Sequence, residues 1–136
     1  MMTDADTVQV QVSQISATAA EGSARDHTVT MDRPPAKGGE NKGPMGGEVL
    51  LMALGGCFMS NLLAASDARD ADVSDITLTI SGHLAQSPPR FDAIRIEIDA
   101  DYPERAIIEK LVIIAERSCI VANTLKRCID LTFSIV

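Results

Sequence analysis

The chain has 136 residues and a mass of 14.5 kDa. That is one domain's worth of chain, able to bury roughly two-thirds of its unfolded surface without disulfide or metal staples. Lys plus Arg number 12 against 19 Asp plus Glu, a formal net charge of −7, which argues against a non-specific nucleic-acid binder and against docking on an anionic membrane. Apolar residues at 46% argue against disorder, and aromatics at 3% with no Trp argue against a base- or sugar-stacking platform.

The N-terminal stretch MMTDADTVQVQ is acidic and polar and has neither part of a secretory leader. With 3 Cys, an odd number, and no CxxC, a reducing cytoplasm is the expected setting. Residues 7–12 alternate, with Val8, Val10 and Val12 on one side, as in a half-buried strand. EGSARD then reads as a turn, and His27–Met31 as a second strand of a hairpin.

Asp32–Gly47 holds Pro34, Pro35, Pro44 and five glycines. It is expected to be a long loop, because neither helix interior nor central strand tolerates that content. From Val49 to Ala65 no residue is charged. This run is short for a membrane span, is interrupted by Gly55, Gly56, Ser60 and Asn61, and lacks a basic flank. A long helix buried on nearly all sides, in the core or at a subunit interface, is the better expectation. Paired glycines just before Cys57 suggest close approach of a backbone or ligand, or tight packing on a sheet.

Ser74–Leu84 alternates through Ile76, Leu78 and Ile80, and Phe91–Ala100 through Ile94, Ile96 and Ile98, separated by the turn QSPPR. Together they predict an antiparallel hairpin with one wet face. Asp101-Tyr102-Pro103-Glu104 opens a helix with Asp101 as candidate N-cap and Ile107, Ile108, Leu111 and Ala115 as its apolar stripe. Arg117-Ser118-Cys119 interrupts it before a short helix from about Ile120 to Arg127, and Ile129–Val136 reads as a last strand. The order of elements predicts an α+β fold in a single domain, residues 1–136.

Of the cysteines, Cys57 lies in the most apolar segment and on composition alone reads as a small core residue. Cys119 follows Arg117 and precedes a helix, and both a cation and a helix N-terminus lower a thiol pKa. Cys128 sits at a helix C-terminus, where the dipole disfavours a thiolate, and reads as incidental. His27 and His83 read as strand-surface side chains, and Asn123 and Thr124 as caps or packing for the short helix.

GPMGGEVLLMALGGCF and AERSCIVANTLKRCIDL resemble the two signature segments of the OsmC/Ohr family, the osmotically inducible protein C and organic hydroperoxide resistance proteins. ARDHTVTMDRPPAKGG resembles that family's strand and Gly-rich loop. The resemblance implies an intertwined homodimer, with an antiparallel sheet wrapped around a long buried cysteine-bearing helix and active sites at the subunit interface. It implies reduction of organic hydroperoxides by two cysteines, with no metal or organic cofactor and with a dithiol or small thiols as reductant. Cys57 matches the peroxidatic position and Cys119 the resolving one. The family also places an Arg of the N-terminal hairpin beside the thiol, held by a Glu near the helix start. Arg25 is the candidate for the first, with Arg33 as alternative, and Glu48 for the second.

The well-studied branch carries Pro-Glu ten residues before the cysteine, whereas here Gly47 stands at ten and Glu48 at nine. Glu48 is therefore equally readable as an acid favouring the helix N-terminus. The GGEVLLMALGGC form is also similar to less-characterised relatives. Two other functions fit the residues: a binder of an apolar small molecule on the same dimeric scaffold, and, more remotely, a metal module built from the cysteines and a His.

Overall fold

The computed structural model describes residues 6–127, 131, 132 and 135. The chain forms two compact units, Met1–Leu50 and Leu51–Val136. The strand expected over Ile129–Val136, and Cys128, lie outside the described residues apart from 131, 132 and 135.

The first unit is an antiparallel meander of β1 (Gln11–Gln14), β2 (Ala20–Ala24) and β3 (His27–Met31), in that order. It corrects two expectations. The first strand starts at Gln11 rather than Thr7, and its valines are not half-buried: Val8 is 92% exposed, and Val10 and Val12 are exposed too. Val8 and Val10 precede the strand, and Val12 stands opposite Gly22, which has no side chain to cover it. The stretch read as a turn is itself largely strand. Gly22 sits opposite both Val12 and Val29, so backbone bonding on both edges makes this strand without any apolar alternation. The turn proper is Arg25–Asp26, with Arg25 in the left-handed region at φ 55°.

The Gly/Pro stretch is a loop, as expected, but an ordered one. Asp32, only 4% exposed, accepts the Arg33 N–H at 2.7 Å on one carboxylate oxygen and the N–H groups of Glu40 and Lys42, each at 3.2 Å, on the other. A 3-10 turn, Pro35–Lys37, lies between these donors. A Cβ on Gly39 would overlap the Arg33 carbonyl, so the backbone can fold back on itself there only as glycine.

The helix α1 (Gly46–Ala68) takes in Gly46 and Gly47, the last two residues of the stretch expected to be loop. The Met45 carbonyl accepts the first helical N–H, from Val49. Glu48, the third helical residue, accepts the Met45 N–H at 2.8 Å, which is the acidic half of a capping box.

In the second unit β4 (Ser74–Ala85) and β5 (Arg90–Asp101) form the expected hairpin. Its apolar face, Ile76, Leu78 and Ile80 with Ile94, Ile96 and Ile98, packs on a core built from α1, α2 (Arg105–Ser118) and α3 (Ile120–Leu125). That core is Leu54, Phe58, Leu62 and Ala65 of α1, Leu111 and Ala115 of α2, then Cys119 and Ala122. Leu62 and Leu111 are fully buried, and each contributes about 1.5–3 kcal/mol through the area it removes from water. The α2 N-cap is Glu104, with no side-chain bond, rather than Asp101, which β5 retains.

By length and composition α1 could cross a membrane, but its inner side is the core of this unit. It is not buried on nearly all sides. Met52 and Leu63 are 57% and 53% exposed, because one hairpin and two helices cover only one side of α1. The paired glycines divide accordingly. A Cβ on Gly55 would lie 2.7 Å from Ile80 Cδ1, so Gly55 serves helix-on-sheet packing, while Gly56 faces open space in the single chain.

Candidate active site

Cys57 lies midway along α1, at the border between its buried stripe and its open side. Leu54, Phe58 and Leu62 beside it face inward, and Cys57 itself is half-buried against the core. Its position follows from helical periodicity, since residues three and four apart share a face.

Cys119 occupies the single non-helical residue between α2 and α3, with φ −79° and ψ 111°, and is fully buried. Its N–H donates to the Glu116 carbonyl at 3.3 Å, which closes α2, and its carbonyl accepts the Asn123 N–H at 2.9 Å, which opens α3. Its sulfur accepts the Ala122 N–H at 3.4 Å, so the thiol is the N-cap of α3. The bend is stabilised locally. Asn123 Nδ2 donates to the Arg117 carbonyl at 3.1 Å across the break, and Thr124 Oγ1 donates to the Ile120 carbonyl at 2.8 Å. Asn123 thus caps the end of α2, while Thr124, exposed, bonds back one turn within α3.

Both thiols are free, and Cys57 packs against the core cluster that includes Cys119. Their acidities move in opposite directions. The Val121 N–H is the main influence holding Cys57 below the ordinary thiol range. Burial opposes it, and the Cys119 thiol and the Ile120 N–H assist. Burial is the main influence pushing Cys119 up, and the neighbouring Cys57 adds to it through its hydrogen bond and its charge. The N-terminus of α3 and the residues before it were expected to lower the pKa of Cys119. The Ala122 and Val121 N–H groups do act on Cys119 in that direction, but burial outweighs them, and the Val121 and Ile120 N–H groups also serve Cys57. Thiolate character therefore falls on Cys57, and a protonated thiol stands next to it.

Arg25, Arg33 and Glu48 all belong to the first unit and are exposed there. Arg25 is at the tip of the β2–β3 turn, Arg33 follows the Asp32 anchor, and Glu48 caps α1.

One residue at the site went unassigned in the sequence, where it served only to interrupt an apolar run. Asn61 Nδ2 donates to the Cys57 carbonyl at 2.9 Å and approaches Cys57 Sγ at 3.9 Å. The available signal was its position four residues, one helical turn, after the cysteine. Among the described residues no group of three or more His, Cys, Asp or Glu side chains comes together as a metal site. His27 is exposed on β3, and His83 Nδ1 sits 2.7 Å from Asp92 Oδ1 on the outer face of the hairpin.

A further feature of the second unit is an apolar groove of about 480 Å³. Leu54, Phe58, Phe91, Ile96, Ile98 and Val112 line it, with Glu116 and Lys126 at its rim.

Several solved structures share this architecture. An OsmC-like protein from Mycoplasma pneumoniae superimposes with a TM-score of 0.78 at 16% identity, covering 88% of this chain and 87% of its own. A putative osmotic stress induced and detoxification response protein from Psychrobacter arcticus gives 0.76 at 15% identity, covering 87% and 88%. An organic hydroperoxide resistance protein from Elizabethkingia anophelis gives 0.62 at 18% identity, covering 88% of each chain. At these identities the likeness is one of fold. No curated protein matches the sequence significantly. The OsmC-like protein family profile matches residues 39–134, which takes in both cysteine segments, and the chain thus belongs to the OsmC-like family.

Proposed function

We propose that the chain is a thiol peroxidase that reduces organic hydroperoxides, working as a homodimer in the cytoplasm. The observation that carries the reading is the packing of the free Cys57 against the core cluster that holds the free Cys119, with acidities that diverge, Cys57 downward and Cys119 upward. The Cys57 thiolate attacks one oxygen of R–O–OH. The O–O bond breaks, the alkoxide takes a proton and leaves as an alcohol, and Cys57 becomes a sulfenic acid. The Cys119 thiol then displaces hydroxide from that sulfur, releasing water and forming a disulfide. A dithiol, or two small thiols, supplies the two electrons that restore both cysteines. The chemistry needs no metal or organic cofactor.

Arg25, or alternatively Arg33, is proposed to supply a cation to the reacting oxygens, with Glu48 steadying it as well as capping α1. The hydroperoxide resistance protein of similar fold from Elizabethkingia anophelis supports the substrate class. The uncharged surroundings of Cys57 suit an alkyl or lipid hydroperoxide. The exposed apolar side of α1, including Met52 and Leu63, supports a partner subunit.

The test is thiol counting and peptide mapping before and after one equivalent of cumene hydroperoxide. The expected result is loss of two thiols and a Cys57–Cys119 disulfide, and loss of hydroperoxide consumption in Cys57→Ser. Consumption that persists in Cys57→Ser sinks the reading. The groove lined by Leu54, Phe58 and Phe91 supports a second one, a carrier of an apolar small molecule. Organic extraction and mass spectrometry of the purified protein test that alternative, which an empty groove with no saturable lipid binding would overturn.

A further inference from the structure

Asn61 is out of place by helix propensity. It stands in the uncharged middle of a 23-residue helix, where an amide side chain both disfavours the helix relative to Ala and competes for backbone bonds. Its carboxamide is nonetheless in a defined position. Nδ2 donates to the carbonyl of Cys57, one turn back, at 2.9 Å, and the same nitrogen is 3.9 Å from Cys57 Sγ. A carboxamide nitrogen carries two hydrogens. One is committed to the carbonyl, which fixes the plane of the amide. The other is left on the sulfur side, at a distance long for a neutral thiol and within reach of the larger, charged acceptor that a thiolate presents.

We propose that Asn61 is a positioning residue for Cys57: hooked on the Cys57 carbonyl, its carboxamide holds Sγ in place and offers its second N–H to the thiolate. The proposal rests on the peroxidase reading and deepens it. The groups acting on this sulfur come from two elements. From the α2–α3 junction come the Val121 and Ile120 N–H groups and the Cys119 thiol. From α1 itself comes Asn61, the helix carrying no charged side chain between Glu48 and Asp67. The strands contribute only apolar side chains to the cluster that Cys57 packs on, Ile76, Leu78, Ile80, Ile94, Ile96 and Ile98. Asn61 is thus the side-chain donor that α1 itself brings to Cys57. A purely structural Asn, bonded to a helix carbonyl, would be indifferent to the charge on the sulfur.

The experiment is the pH profile of Cys57 alkylation by iodoacetamide, read by peptide mass spectrometry in the full chain, for wild type, Asn61→Ala and Asn61→Asp. It needs no peroxide, so it stands apart from the Cys57→Ser turnover test of the parent reading. Asn61→Ala should raise the midpoint and leave about three- to tenfold less thiolate at neutral pH. Asn61→Asp, which places a carboxylate where the amide was, should raise it further. Profiles superimposable on wild type in Asn61→Ala, with unchanged far-ultraviolet circular dichroism, overturn the proposal. Ala is a better helix former than Asn, so this variant decides the matter even where the Asp variant fails to fold.

Discussion

At the scale of single residues, the two thiols are made different by backbone more than by charged side chains. Cys57 borrows N–H groups from the first turn of α3, whereas Cys119 is sealed inside the core. The sign of the pH dependence follows. A lowered pKa means that Cys57 ionises first as pH rises, and Cys119 keeps its proton to higher pH than an ordinary thiol. Hydroperoxide consumption should therefore fall as acid protonates Cys57, while the Cys119 peptide resists alkylation until well above that midpoint. Cys119→Ser separates the roles. Serine is a favoured N-cap, so α3 should survive the change. The variant should consume about one equivalent of hydroperoxide and stop, leaving a Cys57 sulfenic acid that dimedone traps. Continued turnover in this variant with no dimedone adduct would remove Cys119 from the cycle. The cysteine pair was legible in the sequence through its two motifs. That the helix terminus serves both thiols while burial overrides it at Cys119 was not, because burial is set by the packed core and not by the local sequence.

At the scale of elements, the loop after β3 is organised by one carboxylate. Asp32 is held below the usual carboxylate range. Burial pushes it upward, and the N–H groups of Arg33, Lys42 and Glu40, with the Thr18 hydroxyl, outweigh it. The ionised form thus belongs to the folded loop, and the stabilisation it gives is present above the ordinary Asp range and lost as pH falls through the lowered value. Asp32→Ala should leave three backbone donors without their acceptor. Tryptic cleavage at Lys37 and Lys42 should then accelerate on the order of tenfold at neutral pH, and equal cleavage rates in variant and wild type would refute the anchoring role. The hairpin of β4 and β5 and the stripe of α2 were readable because their apolar residues keep a clean period. β2 was not, since AEGSA has no apolar alternation and is made a strand by its two neighbours. The α2 cap was misplaced for a related reason: Asp101 is a good cap by type, but the β5 ladder claims it.

At the scale of the whole molecule, the family and its α+β architecture were legible from two motifs in order, and the match over residues 39–134 bears this out. How much of α1 the chain covers by itself was not legible, because a low-charge helix looks the same whether one side or every side is covered. The open side, with Met52 and Leu63, is the surface assigned above to a second subunit. Leu63→Asp tests that assignment, since a carboxylate at a desolvated contact is strongly unfavourable. Dimer dissociation should become at least about a hundredfold easier, equivalent to roughly 2.7 kcal/mol, in sedimentation equilibrium. A dimer of wild-type strength would place the interface elsewhere.

On the proposed cycle, the N-cap of α3 is also the sulfur that oxidation consumes. Once bonded to Cys57, it is a poorer acceptor for the Ala122 N–H, so the oxidised state forfeits part of a cap, an interaction typically worth about 1 kcal/mol. For a two-electron couple that is about 20 mV toward easier reduction. The proposed cycle requires the disulfide to be given up at every turn, and a local helix defect would bias the oxidised form toward being reset. The same loosened turn would distinguish the spent subunit from the ready one for whatever dithiol approaches it.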